Sequence, residues 1–134
     1  MSIYKSGITF LITNDLKSTT DFYLSKLNLK LALDQGDCRI FQICQNSFIG
    51  FIQKENKASN EGIILTFETD DVDQLYDDFI KMDIVVETRP RFNEKYNIYQ
   101  MFIRDPSGYL LEFQKFFDPA WEDVKKGYYK FGYK

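Results

Sequence analysis

The chain of 134 residues contains no histidine. That gap excludes every Ser-His-Asp, Cys-His and histidine-metal mechanism, because it removes both the commonest general base and the commonest transition-metal ligand. Cysteine is nearly absent as well. Cys38 and Cys44 lie in one predicted strand, about 20 Å apart if it is extended, which is too far for a mutual disulfide, so both are expected as reduced structural thiols. No apolar run approaches the ~20 residues of a membrane helix, and the first ten residues lack a charged segment followed by an apolar one. A soluble cytoplasmic protein with no membrane partner is expected. Basic charge is also short: the net charge is −3 and the bases are scattered until the last ten positions, so the footprint needed for duplex nucleic acid is missing.

What the chain has in quantity is apolar and aromatic side chains. With 44% hydrophobic residues, thirteen Phe and nine Tyr, it is not disordered and can build one real core at this length.

The apolar pattern divides the chain into two similar halves. Residues 3–13 read as a strand, Asn14-Asp15 as a helix cap, and Leu16, Thr19, Tyr23 and Leu27 recur at helical spacing to about residue 28. Three short strands follow at 29–34, 38–44 and 47–54. After the polar run 55–61 the pattern restarts: a strand at 62–69, a cap at Asp70-Asp71, and Val72, Leu75, Phe79 and Met82 on one helical face. A short strand at 84–88, a loop at 89–96 and a hairpin complete it. Both halves read βαβββ. An offset of 56 superposes Ile8 on Ile64 and Asp15 on Asp71, the mark of an internal repeat.

The hairpin turns on Asp105-Pro106-Ser107-Gly108 within DPSGYLLEFQ. Pairing Arg104 with Tyr109 would set Leu110 and Glu112 on the face of Ile103 and Met101. One carboxylate would then point the same way as a row of apolar side chains.

Together these residues resemble a family. The paired βαβββ units, the first helix LKSTTDFYLSKLNL, the second helix DDVDQLYDDF and above all DPSGYLLEF resemble the vicinal oxygen chelate superfamily, home of glyoxalase I, extradiol dioxygenases, fosfomycin-resistance enzymes and bleomycin-resistance proteins. The resemblance implies an α+β fold in which two βαβββ modules form a curled mixed sheet around a cleft, with the helices outside. One glyoxalase-like domain would span 1–134, with modules at 3–54 and 62–116, a linker at 55–61 and an aromatic, basic extension at 117–134. Metalloenzymes of the family take their ligands from the first and last strands of each module, positions held here by Ile8, Gly50, Ile64 and Glu112. Only Glu112 could touch a metal, and one carboxylate cannot supply the three or four protein ligands a catalytic divalent ion needs.

The expectation is therefore no metal, no cofactor and no catalytic residue. In character the chain is similar to the metal-free bleomycin-resistance-like branch, which implies a homodimer that binds an aromatic or cationic small molecule and confers resistance by sequestering it. Strand alternation supplies the expected pocket lining: Ile8, Phe10, Gly50 and Ile52 from the first module, and Ile64, Thr66, Tyr99, Met101, Ile103 and Glu112 from the second. Two alternatives stand beside it. One is an enzyme, lactoylglutathione-lyase-like or dioxygenase-like, with displaced metal ligands or with Glu112 as general base. The other is a dimeric interaction module with a filled cleft. The loop 89–96 (RPRFNEKY) reads either as a lid or as a solvated surface loop, and the aromatic tail is expected to pack on a sheet edge, cover the cleft or cross to a second subunit.

Overall fold

A computed structural model describes residues 2–56 and 59–130. Apolar alternation produces β1 (Gly7–Thr13), and Asp15 then caps α1 (Leu16–Asp21), its side chain accepting the Ser18 N–H at 3.0 Å. β2 (Lys30–Asp34), β3 (Cys38–Cys44) and β4 (Ser47–Gln53) follow. The second half repeats the order with β5 (Ile64–Glu68), α2 (Val72–Lys81), β6 (Val86–Asn93), β7 (Ile98–Arg104) and β8 (Leu110–Phe116), and adds α3 (Pro119–Lys125). The fold is α+β with two four-stranded sheets. Their orders are β1-β4-β3-β2 and β5-β8-β7-β6, one topology used twice, as the offset of 56 predicts. Among the described residues no helix is long and apolar enough to cross a membrane.

The chain groups into two compact units: residues up to Ile64 with Arg104–Leu110, and Leu65–Ile103 with the residues from Leu111 onward. In the first unit β1 runs parallel to β4, and β3 pairs antiparallel with both β4 and β2. The expected helix reaches close to residue 28 but changes type on the way. α1 gives way to a π-helical turn, Phe22–Lys26, closed by Leu27 N–H on the Phe22 carbonyl at 3.1 Å. Two consecutive aromatics of this turn, Phe22 and Tyr23, both reach the core. Asn28, at φ 57°, ends the segment. The Tyr23 ring centroid lies 4.8 Å from that of Phe51 and 5.9 Å from that of Phe41, all three fully buried.

The Asp105 turn is built into this unit by polar contacts. The buried Asp105 carboxylate accepts the Ser107 and Tyr109 N–H groups at 2.9 Å each and the Tyr23 hydroxyl at 2.8 Å. Burial pushes the Asp105 carboxyl above its ordinary value, against the pull of these donors. Burial and the Asp105 charge together push the Tyr23 phenol well above its own. The Tyr109 hydroxyl donates to the Ile12 carbonyl at 2.7 Å, tying the turn to β1. Gly108 sits at φ +89°, where an added Cβ would stand 2.6 Å from Asn60 Nδ2. Gly108→Ala is expected to cost about 1–2 kcal/mol, read from the midpoint of urea unfolding.

In the second unit Asp71 caps α2 through the Gln74 N–H at 3.0 Å, and Phe79 of that helix meets Phe113, which stacks on Phe67 at 5.2 Å. The hairpin register differs by one residue from the pairing of Arg104 with Tyr109. Asp105 N–H bonds the Tyr109 carbonyl at 3.0 Å and Phe117 N–H bonds the Asn97 carbonyl at 3.1 Å, so Asp105 faces Tyr109 and Asn97 faces Phe117. The loop therefore holds three residues, with Gly108 in the left-handed conformation that such loops require. Carried along the ladder, this register sets Phe102 beside Glu112 and Gln100 beside Gln114.

β6 is longer than expected. Residues 89–93 are strand and not loop, pairing Arg91 with Gln100 and Phe92 with Tyr99. Pro90 is tolerated because β6 is an edge strand and the register shifts between Thr88 and Arg91. The C-terminal segment forms α3, capped by Asp118 on the Ala120 N–H at 2.9 Å with Pro119 opening the helix. Tyr128 and Tyr129 after it are exposed, and the last four residues of the aromatic tail lie outside the described residues.

Candidate functional site

The shift of one residue decides which side chains share a face. Tyr99 donates its hydroxyl to Asp73 of α2 at 2.6 Å, and Met101 and Ile103 on the same side of β7 are fully buried. These three side chains line the interior against α2 and stand on the opposite side of the sheet from Glu112, whereas the sequence placed them beside it. The Asp73 carboxylate raises the Tyr99 phenol above its ordinary value.

What does surround Glu112 is polar. Thr66 of β5 donates to Glu112 Oε1 at 2.8 Å, and the Gln100 amide of β7 donates to Glu112 Oε2. Asn93 of β6 donates to Gln100 Oε1 at 2.9 Å, which fixes the direction of that amide. Glu112 is only 8% exposed and Gln100 4%. A carboxylate has about four acceptor sites, so two donors leave capacity unused. Gln114, 7% exposed and one step further along the same face, has a buried Oε1 without a hydrogen-bond partner among the described residues. A buried acceptor left unmade costs about 1–3 kcal/mol. Arg91 pairs with Gln100 in the ladder and shares the face, exposed at its β6 edge.

One end of this face is closed by the C-terminal segment. Trp121 of α3 donates its indole N–H to Glu68 Oε2 at 2.9 Å, its ring centroid lies 4.5 Å from that of Phe116, and Lys125 ion-pairs with Glu68. Sequence reasoning missed Gln100, Asn93 and Trp121 as members of the site. The three-residue loop implied by Gly108 was the signal for Gln100, since it alone puts Gln100 on the Glu112 face.

The first-unit residues singled out in the sequence are arranged differently. Phe10 pairs with Gly50 across the β1–β4 ladder, and its ring covers Gly50 closely enough that an added Cβ would stand 2.6 Å from it. The space above that glycine is therefore taken by a side chain of its own sheet. Ile8 is 44% and Phe10 48% exposed, while Ile52 is half-buried between Ile12 and Cys38. Ile64, on β5, is 54% exposed. An open depression of about 400 Å³ also lies in the first unit, lined by Ile12, Thr13, Asn14 and residues 105–109. Its polar groups already satisfy one another, Thr13 Oγ1 lying 2.7 Å from Ser107 Oγ and 2.9 Å from Thr19 Oγ1.

The donor set does not fit a catalytic divalent ion. Ile8, Gly50 and Ile64 carry no donor atom, both oxygens of Glu112 already accept hydrogen bonds, and among the described residues no three Cys, Asp or Glu side chains gather as ligands would. Cys38 is buried, which pushes its thiol up, and is no activated nucleophile.

The chain is similar to proteins of known sequence and structure. It is 28% identical over 120 residues to the uncharacterized protein YraH of Bacillus subtilis (strain 168), covering 78% of this chain and 93% of that one. A lactoylglutathione lyase from Agrobacterium tumefaciens shares the fold at TM-score 0.66 and 24% identity, over 81% of this chain and 90% of that one. A glyoxalase/bleomycin resistance protein/dioxygenase from Nocardioides does so at TM-score 0.72 and 16% identity, over 87% and 85%. Residues 6–113 match the sequence pattern of one family along nearly the whole of the doubled βαβββ unit, and the chain belongs to the Glyoxalase/Bleomycin resistance protein/Dioxygenase superfamily.

Proposed function

We propose that the protein is a metal-independent small-molecule-binding member of this superfamily, sequestering an aromatic or cationic compound on the Glu112 face of the second unit's sheet. The observation that carries this reading is a carboxylate held in place by Thr66 and Gln100 beside the unpartnered, buried Oε1 of Gln114. A carboxylate fixed by two donors beside a buried acceptor without a partner can orient a ligand bearing N–H donors, while neighbouring apolar and aromatic groups supply affinity. The lack of donor atoms at Ile8, Gly50 and Ile64 supports metal independence. Ile8, Phe10 and Leu33 are exposed apolar side chains of the first sheet, which supports a homodimer as the working form, to be checked by analytical ultracentrifugation.

A thermal-shift screen of organic cations and divalent metal ions tests the reading. Organic cations should raise the midpoint, by the equivalent of about 2.7 kcal/mol at a hundredfold excess over Kd, and divalent ions should not. In Glu112→Gln the apo protein should lose less than about 2 kcal/mol, since one acceptor remains, while affinity falls at least about tenfold. Stoichiometric retention of a metal with a large stabilisation would overturn the reading.

A further inference from the structure

Trp121 is the single tryptophan of the chain, and it lies beyond the family-matched residues 6–113. Both of its anchors border the Glu112 cluster. Glu68, which accepts its indole N–H, is two residues from Thr66 on β5, and Phe116, on which it packs with planes 30° apart, is two residues from Gln114 on β8. Residues two apart on a strand share a face about 7 Å apart. The indole therefore stands at the end of the row formed by Glu112 and Gln114. It is only partly buried, and no residue of α3 is buried, so the helix is held there by these polar and ring contacts and not by a core.

We infer that Trp121 is a ligand-contacting residue which, with Glu112 and Gln114, selects a flat aromatic ring carrying an amidinium or guanidinium group. This rests on the binding reading above and names its ligand class. The cation's paired N–H donors meet the free capacity of the Glu112 carboxylate and the orphaned Gln114 Oε1, two acceptors one step apart. The ring then extends along β8 toward Phe116 and lies against the indole, where stacking and the negative face of the ring system both favour a cationic heterocycle. Glu68 holds the indole through its N–H and is itself neutralised by Lys125, so its charge does not compete for the ligand's cation. Arg91 at the far edge disfavours extra positive charge there.

Benzamidine is the probe, with benzamide as the neutral and benzoate as the anionic control, followed by tryptophan fluorescence and calorimetry on the full chain. Benzamidine should change the Trp121 fluorescence saturably, and benzamide and benzoate should bind at least about tenfold more weakly. Trp121→Leu should weaken benzamidine about fivefold or more by calorimetry, and Trp121→Phe, which keeps a ring, should recover most of it. Because no α3 residue is buried, both variants are expected to stay folded, with only a small drop in the unfolding midpoint from the lost bond to Glu68. Benzamidine affinity that falls in Glu112→Gln but is unchanged in Trp121→Leu overturns this inference and leaves the binding reading standing. Affinity unchanged in Glu112→Gln overturns both. Absence of benzamidine binding, or tighter binding of benzoate, overturns the ligand class alone, because the binding reading is decided by the thermal-shift screen.

Discussion

Replacing Asp105 with alanine is expected to lower the unfolding free energy by about 3–5 kcal/mol, measured by urea titration. The carboxylate is 5% exposed and accepts from the Tyr23 hydroxyl and from the Ser107 and Tyr109 N–H groups, so alanine strands three donors at once, each costing about 1–3 kcal/mol where water cannot reach it. Asp105→Asn should be milder, about 1 kcal/mol, because its amide oxygen still serves the two N–H groups and its NH2 can donate to the Tyr23 oxygen. Tyr23→Phe tests the same contact from the other side, and a double-mutant cycle should give a coupling of about 1–3 kcal/mol.

The pair also sets a pH dependence. Burial raises the Asp105 carboxyl in the folded state, so the fold favours its protonated form. That contribution is complete below the range in which an unfolded aspartate titrates, and it is lost as pH rises through the higher folded value. The stability of wild type relative to Asp105→Asn should therefore be greatest at the acid end and shrink on the way to neutrality. A difference that grows with pH would show that the hydrogen bonds to the ionised form outweigh its burial.

Met101→Ala is the second large effect, an expected loss of about 2–5 kcal/mol with ligand affinity unchanged. Met101 is fully buried on the α2 face of β7, next to the register that places Phe113 between Phe67 and Phe79. Truncating it opens a cavity in that layer. Gln100→Ala, one residue away, should do the reverse: it frees one oxygen of Glu112 and a bond to Asn93 at about 1–2 kcal/mol, and it weakens binding by loosening the carboxylate. Were the ladder set with Arg104 opposite Tyr109, these two outcomes would be exchanged, so the pair of variants reads the register directly.

Much of the architecture was legible because it is written in local chemistry. Asp15 and Asp71 announce two helix starts, the offset of 56 announces the repeat, and both sheets adopt the same strand order. The misreadings have local physical causes. The π-helical turn Phe22–Lys26, in which Phe22 and Tyr23 are both buried, changes the hydrogen-bond ladder and not the apolar spacing, so the residue pattern read as one ordinary helix. Pro90 argues against a strand until β6 is known to be an edge with a register shift beside it. Gly108 closes a three-residue loop, and counting one residue too many moved Met101 and Ile103 to the wrong side.

By itself the sequence determined the family, the doubled βαβββ plan and the chemistry that the chain lacks, because histidine content, helix caps and hydrophobic period do not depend on distant contacts. The tertiary structure alone decided that Glu112 is held by Thr66 and Gln100 and that Trp121 reaches Glu68, residues up to 53 positions apart. A side chain's face is set by strand register, and register is fixed only when the turn and the packing against a helix are in place together.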